Sequence, residues 1–531
     1  MNPVHQKTNP FTTDEQNSSG FFASWRWWLG PALLSLVLAF CYLDPFAGDW
    51  DALDYTVQAL RGQPSSMILG RMFFIFSNRG LYSIAHALFG LSPEKAYLLF
   101  KYTVVAECPL ALIAWWQLAN ELSGNKKTAT IAALLLGLSP FYIIYSGQAM
   151  TEIPSLLILA LGLLVHFRGL KSRRTWLVLA GAVLLGACVN IREGALLFAP
   201  WLVFAPLVCG WRFDKRDIGI TVAACLLFLA TAFGPFAFWY WLDADNYRMA
   251  WQSWAAYTKI ESARHPVSLA NFGTLLRYFF IAGPLVLVAF PVAAYSEIRA
   301  RGWTPLLVLG LIGLCANLSL IVHYSVVLNG RYLLTGLPAM APLVADYFIR
   351  EQESKLKSAR RAFANVVFGV LFIGAVLMNE AWPVGWGYIR NRSLAKDYIN
   401  QLSLIPKDAV IIPGSQTVAV TYWRGIGSGQ WDTIGTGVAW PGPKLQESID
   451  WYLGHKYRVF VDADPRWWSP CGWQALEIRE LVEIGNKYHF RHVAGNLYEI
   501  LSPNETSSND DPHLVVLLPE NRPSEVMYCP K

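Results

Sequence analysis

The chain is poor in charge. Of its 531 residues, 43 are Lys or Arg and 37 are Asp or Glu, so only 15% are charged. A soluble chain carries roughly a quarter. It also lacks the short motifs of common soluble chemistries. No H-E-x-x-H, Walker loop, C-x-x-C or G-x-S-x-G occurs, which removes support for zincin, ATPase, thioredoxin-like and serine-hydrolase readings. No internal repeat and no heptad run is present. With 54% hydrophobic and 14% aromatic residues, a disordered chain, a collagen-like fibre, a disulfide mini-scaffold and an all-soluble enzyme are excluded. The net charge of +6 is small and gathered into short loops, a pattern of membrane topology and not of nucleic-acid binding.

What the chain has is long apolar runs. Stretches near 24–43, 97–121, 127–145, 152–168, 174–189, 194–210, 217–241, 277–296, 304–322, 332–349 and 362–380 predict about eleven transmembrane helices. Trp25, Trp27, Trp28, Trp115, Trp116, Trp239 and Trp241 cluster at their ends, where amphipathic rings sit among headgroups. The first run follows about twenty polar residues and has no small-x-small cleavage site, so it reads as a retained helix. Alternate loops carry the basic residues: Lys126 and Lys127; Arg168, Lys171, Arg173 and Arg174; Arg212, Lys215 and Arg216; Arg299 and Arg301; and Arg350 to Arg361. The positive-inside rule puts these loops and the N-terminal tail, 1–23, in the cytoplasm. The long segments 44–96, 242–276 and everything after about 381 then lie outside.

The segment 381–501 changes character. "DAVIIP" and "YRVFVDAD" read as short buried strands, and "PKLQESIDWYLG" and "WQALEIRELVEIG" have helical spacing. Their alternation favours a parallel sheet with flanking helices. The glycines of "GIGSGQWDTIGTG" do not match a G-x-G-x-x-G in a strand–turn–helix setting and read as a loop. A polar tail, 502–531, follows. The expected fold class is therefore a polytopic α-helical membrane protein, its helical block spanning 24–380, with a small C-terminal extracytoplasmic α/β domain. Four of the cysteines (Cys188, Cys209, Cys225, Cys315) fall in apolar runs as small buried hydrophobes, whereas Cys471 and Cys529 lie in the outer segment, where pairing is permitted.

Ionisable residues at the mouths of spans are the informative ones, because desolvating them is costly. Four groups stand out, all on the outer face of this topology. "GDWD" holds Asp49 and Asp51, a candidate general base or a pair of oxygen ligands for a divalent cation, or else a solvated loop with a helix cap. "YSGQAMTEIP" holds Gln148 and Glu152, the latter where the chain re-enters lipid or simply starts a helix. "NIREGALLFAP" places Arg192 beside Glu193, free to meet a lipid phosphate or to pair locally. "HYSVVLNGRYLLTGLPAMAP" holds His323, Arg331 and Tyr332, and the Arg331 fork suits phosphate or merely snorkels. Carboxylates and arginines from distant loops on one face suit transfer from a lipid-phosphate donor. The leaving phosphate needs cations and the incoming hydroxyl needs a base.

These four motifs, in this order, resemble the GT-C class of polytopic glycosyltransferases, near bacterial relatives of the protein O-mannosyltransferases and of the lipid A aminoarabinose transferase. The likeness covers about residues 24–380. It implies a membrane enzyme moving a sugar from a polyprenyl-phosphate donor to a hydroxyl of an extracytoplasmic lipid, glycan or protein, in a bacterial inner membrane. It implies that Asp49 or Asp51 is the base, that Glu152 shapes the donor site, and that Arg192 and Arg331 hold the donor phosphate, with Gln148, Tyr332 and His323 nearby. A divalent cation and no other cofactor enters this reading. The chain departs from the O-mannosyltransferase pattern in lacking a clean Asp-Glu pair in the first loop, which leaves open the choice of Asp and whether the acceptor is a protein. Two other readings exist. A transporter or lipid flippase would want mid-span charges, for which Lys101 and Glu107 are the main candidates, and repeats, which are absent. A polysaccharide polymerase or ligase would use a polyprenyl-diphosphate donor and fits the first-loop acids less well.

The topology has a direct test. A phosphatase fused to the C-terminus should be active, and cysteines introduced at Ser415 or Ser469 should react with an impermeant thiol reagent from outside. A cytoplasmic signal would put all four motifs on the opposite face.

Overall fold

The computed structural model describes residues 25–43, 50–64, 71–211, 214–264, 279–323, 330–353, 408–412, 445–463 and 484–502, with isolated residues and short stretches elsewhere. The described helices are α1 (Trp25–Cys41), α2 (Trp50–Arg61), α3 (Met72–Phe89), α4 (Ala96–Ser123), α5 (Lys126–Gly137), α6 (Pro140–Ser146), α7 (Glu152–Ser172), α8 (Thr175–Val189), α9 (Pro200–Val208), α10 (Lys215–Leu242), α11 (Ala244–Arg264), α12 (Pro284–Arg301), α13 (Pro305–His323), α14 (Leu337–Glu353) and α15 (Leu445–Gly454). Two 3₁₀ turns, Glu193–Phe198 and Gly330–Leu334, precede α9 and α14.

Three of these segments, Pro93–Ser123, Glu152–Ser172 and Lys215–Leu242, are long and apolar enough to cross a membrane, and α5 with α6 forms a fourth, bent by 67°. The bend falls where Pro140 starts a new helix after Ser139, since proline cannot continue the ladder it interrupts. Shorter apolar helices occupy Trp25–Cys41, Thr175–Val189, Glu193–Val208 and Pro305–Ser319. Several of the eleven expected spans are thus broken or short, and the one at 362–380 lies largely outside the described residues. α10 exposes Ile218, Val222, Leu226, Leu229 and Phe233 along one side. A helix apolar on every side can present such a face to lipid, with its opposite face in a protein core. The chain is an integral membrane protein.

Packing is closest between α7 and α8. Gly162, Gly169 and Gly181 let the two backbones approach, and an added Cβ at Gly181 would sit 2.5 Å from the His166 backbone nitrogen. Such small-residue contacts drive helix association where lipid removes the hydrophobic incentive. Trp115 Nε1 donates to the Leu156 carbonyl at 3.0 Å and ties α4 to α7. Asn190, just past α8, donates through Nδ2 to the carbonyls of Thr231 (2.8 Å) and Ala232 (3.1 Å) on α10. At one end of the bundle, Glu297 and Asp346 are buried and share Arg301 and Arg350. Thr304 donates its hydroxyl to Glu297 at 2.8 Å. This cluster joins the ends of α12 and α14 to the start of α13 as a neutral block.

The C-terminal segment holds a four-stranded sheet in the order β1-β2-β4-β3: Val410–Ile412, Val459–Asp462, Leu497–Leu501 and His489–Ala494. β1 and β2 pair in parallel, with α15 between them in sequence. β2–β4 and β4–β3 are antiparallel, so the sheet is mixed and not the parallel sheet expected. The reason is the hairpin at Gly495 (φ +54°), which returns the chain too tightly for a crossover helix. Cys471, Cys529 and the glycine-rich stretch lie outside the described residues.

Gly336 offers a stability test. A Cβ there would meet the Gly313 carbonyl oxygen at 2.2 Å and Asn317 Oδ1 at 2.6 Å, whereas one at Gly219 would meet nothing within 4 Å. Gly336→Ala should cost about 1–3 kcal/mol through overpacking and lower the thermal unfolding midpoint in detergent. Gly219→Ala should not lower it.

Candidate active site

At the end of the bundle opposite the Glu297 cluster, helix termini converge. Glu152 is the first residue of α7, where the unsatisfied N–H groups and the helix dipole favour an acid. Arg192 follows the C-terminus of α8, where the dipole favours a cation. Arg331 lies in the 3₁₀ turn before α14, and Asp51 in the first turn of α2. Arg71 precedes α3. Close backbone contacts bring these pieces together. Gly147 abuts the Tyr42 carbonyl at the end of α1, with 2.9 Å left for a Cβ. The Phe73 amide donates to the Asn190 carbonyl at 3.0 Å, fixing the start of α3 against the end of α8.

The side chains form one network. Glu152 Oε1 lies 2.5 Å from an Arg192 terminal nitrogen and 3.5 Å from Arg331 Nε, so one carboxylate oxygen serves two guanidiniums. Arg331 also makes an ion pair with Asp51, both side chains 8% exposed. Arg192 donates to the Thr151 hydroxyl at 3.3 Å. The Tyr332 ring lies 5.0 Å from the Arg192 guanidinium and 5.4 Å from that of Arg331, and the Tyr145 ring is 5.8 Å from Arg331. Each contact places a cation within cation–π range of an aromatic ring. Arg71 pairs with Glu193 and donates through Nε to the Tyr55 hydroxyl at 2.8 Å. Burial alone would raise the Glu193 carboxyl, but the Arg71 charge and hydrogen bond outweigh it and hold the group below the usual carboxylate range.

Several buried atoms of this network make no hydrogen bond. Glu152 Oε2 and Arg192 Nη2 are sealed from solvent and have no hydrogen-bond partner among the described residues. A buried guanidinium N–H without an acceptor is costly, and such an exception calls for an explanation. The arrangement offers two arginine forks, close together and partly desolvated, beside a carboxylate at the rim. Chemically it can bind an anion with a planar or tetrahedral oxygen array and accept a proton nearby.

Of the residues marked in the sequence, Asp51, Glu152, Arg192, Arg331 and Tyr332 meet here. Gln148 is buried in the turn before α7, its backbone carbonyl accepting from the Met150 backbone N–H at 2.8 Å. Asp49 lies outside the described residues, and His323 ends α13 with its side chain likewise outside them. Arg192 does not pair with its neighbour Glu193; the 3₁₀ turn directs the two apart, to Glu152 and Arg71. Arg71, Tyr55 and Tyr145 escape sequence reading. For Arg71 the signal exists: it is a cation in the same outer loop as "GDWD", against the charge pattern that marks Arg192 and Arg331. Among the described residues no three His, Cys, Asp or Glu side chains gather as metal ligands. Lys101 is buried on α4 with its ammonium 5.0 Å from the Tyr97 ring, and Glu107 Oε2, also on α4, has no hydrogen-bond partner among the described residues.

No protein-family model and no curated protein matches the sequence. Solved structures do match. ArnT from Cupriavidus metallidurans bound to undecaprenyl phosphate is similar with a TM-score of 0.57 at 12% identity, over 90% of this chain and 98% of that one. The Archaeoglobus fulgidus oligosaccharyltransferase in its apo form gives 0.51 at 13% identity, over 92% and 76%. The same organism's AglB with an inhibitory peptide and a dolichol-phosphate gives 0.50 at 13%, over 92% and 75%. The chain thus has the GT-C fold of these polytopic glycosyltransferases.

The Arg71–Glu193 bridge can be tested apart from chemistry. Arg71→Met leaves the half-buried Glu193 carboxylate without its arginine and should cost about 1–3 kcal/mol, and Arg71→Met with Glu193→Met should recover much of it. Because the Glu193 carboxyl is held below its ordinary value of 4.5, the pair contributes fully above that pH and is lost as pH falls toward the depressed value. The thermal midpoint of the native protein should therefore drop more steeply on acidification than that of the double variant. Parallel acid profiles would deny the pair any such role.

Proposed function

We propose that the chain transfers a sugar from a polyprenyl-phosphate donor to a hydroxyl on an extracytoplasmic acceptor, at the bilayer surface. The observation that carries this reading is the pair of guanidiniums, Arg192 and Arg331, gathered on one Glu152 oxygen with Arg192 Nη2 unspent. A phosphodiester supplies the acceptor atoms that such a pair requires. Structures sharing the fold contain undecaprenyl phosphate in one case and dolichol-phosphate with a peptide in another, which supports a lipid-linked donor and a separate acceptor.

In this reading the donor phosphate lies against Arg192 and Arg331, and Tyr332 and Tyr145 shield it from water. Glu152 holds the two forks at a spacing they could not keep alone. Asp51 takes the proton of the acceptor hydroxyl as that oxygen attacks the anomeric carbon. The bond from that carbon to the phosphate oxygen breaks, and the electron pair leaves with the phosphate. The phosphate gains charge as the bond breaks, so the arginines bind the transition state more tightly than the ground state. Asp51 is preferred to Asp49 as base because it already belongs to the arginine network. The charge pattern of the loops supports this site and the C-terminal 381–501 domain lying outside, and the family resemblance supports a bacterial inner membrane.

Purified protein incubated with a panel of polyprenyl-phosphate sugars should release lipid phosphate, read by mass spectrometry. Asp51→Asn should lower turnover about 100-fold or more while the protein stays folded. If it turns over at the native rate, the base lies elsewhere, with Asp49 next. Arg331→Ala should lose both affinity and turnover, and Arg331→Lys should recover only part, since it keeps the charge but not the planar fork. Equal donor affinities across the three would leave Arg331 a headgroup-facing residue.

A further inference from the structure

The structure couples the base to the phosphate site through a single side chain. Arg331 makes its ion pair with Asp51 and, through Nε, faces Glu152 at 3.5 Å. A phosphate seated between Arg192 and Arg331 needs the same guanidinium. Charge sharpens the conflict. Within the described network Arg71, Arg192 and Arg331 stand against Asp51, Glu152 and Glu193, three cations to three anions. A phosphodiester brings one more negative charge into a site with little water, where an unpaired charge is costly. One carboxylate must give up its arginine. Glu152 is pinned by two guanidiniums and its side chain is 1% exposed. Glu193 is occupied with Arg71. Asp51, in the first turn of α2, is the carboxylate paired with Arg331 itself, so it is the one that a phosphate on Arg331 displaces.

We infer that the donor phosphate and Asp51 compete for Arg331, so that seating the lipid phosphate is what releases the Asp51 carboxylate for proton transfer. This rests on the reading of the site as a lipid-phosphate glycosyltransferase. In the empty enzyme Asp51 Oδ2 is turned to Arg331 and is poorly placed to receive an acceptor proton. With donor bound, Arg331 turns to the phosphate and keeps Glu152, while Asp51 faces the acceptor. Transfer takes Asp51 from carboxylate to carboxylic acid and the phosphate from one negative charge to two, so the total charge of the site is unchanged: the acceptor's proton goes to Asp51 and the electron pair of the broken bond goes to the phosphate. Once Asp51 loses that proton to water, it reclaims Arg331 and helps to expel the polyprenyl phosphate. The donor therefore binds first, and its product leaves by the same exchange.

The test is the effect of the Asp51 carboxylate on lipid-phosphate affinity. Full-length protein in nanodiscs is titrated with undecaprenyl phosphate, read by tryptophan fluorescence, at one salt concentration. Asp51→Asn, which keeps size and hydrogen bonding, should bind at least about 5-fold more tightly than the native protein, although it has lost turnover. Asp51→Ser should tighten binding in the same direction and stands in if the Asn variant does not fold. In the Arg331→Ala background the Asp51→Asn gain should vanish, because the contested guanidinium is gone. Unchanged or weaker binding in the Asp51 variants, with affinity still lost in Arg331→Ala, overturns the competition and leaves the donor site standing. Native affinity in both Arg331→Ala and Arg192→Ala removes the donor site itself.

Discussion

Everything at the candidate site depends on one carboxylate holding two arginines. Two guanidiniums brought close in a poorly hydrated pocket repel each other, and neither would stay without a counter-ion between them. Glu152 is that counter-ion. Its place at the first residue of α7 makes it a natural choice, because the helix dipole already favours negative charge there. The packing of α4, α7 and α8 can then be read as a frame for this position. Trp115 ties α4 to the second turn of α7, the glycines draw α8 against it, and Asn190 anchors the end of α8 to α10. A rigid frame gives the arginines a fixed spacing, which a flexible pocket in lipid would not.

Around that centre the network is built from helix ends and short 3₁₀ turns, not from helix interiors. This division suits a membrane protein. Interiors of spans must satisfy their own backbone and face lipid or each other, so they carry packing. Ends meet water and headgroups and can carry charge. The Glu297–Asp346–Arg350–Arg301 cluster at the opposite end shows the same economy. There carboxylates and arginines hold helix ends together, and buried arginine nitrogens without a well-aligned hydrogen bond occur in both clusters, on Arg350 and on Arg192.

Much of this was legible in the sequence, and the exceptions are physical. Apolar runs mark α1, α4, α7, α8 and α10 closely, because hydropathy over twenty residues is a strong signal. They mark the α5–α6 segment as one straight span because a proline bend changes direction without changing hydropathy. The mixed sheet was read as parallel because alternation of strand and helix describes β1, α15 and β2 but not the β3–β4 hairpin that follows. Arg192 and Arg331 announce themselves as cations on the face that the loop charges leave poor. Their partners do not. Sequence adjacency suggests Arg192 with Glu193, but the turn geometry pairs Arg192 with a residue 40 positions earlier and Glu193 with one 122 positions earlier.

That long reach bears on how the molecule is made. Asp51 leaves the ribosome 280 residues before Arg331, and Arg71 leaves 122 before Glu193. Glu152 and Arg192, by contrast, lie at the start and just past the end of adjacent helices and can meet as soon as that hairpin enters the bilayer. The nascent chain can therefore pair Arg192 with Glu152 through α7 and α8, and Arg71 with Glu193 one residue later, while Asp51 waits for Arg331. The pocket closes only when the turn before α14 arrives. A chain stalled before that point is an inserted bundle with an open mouth.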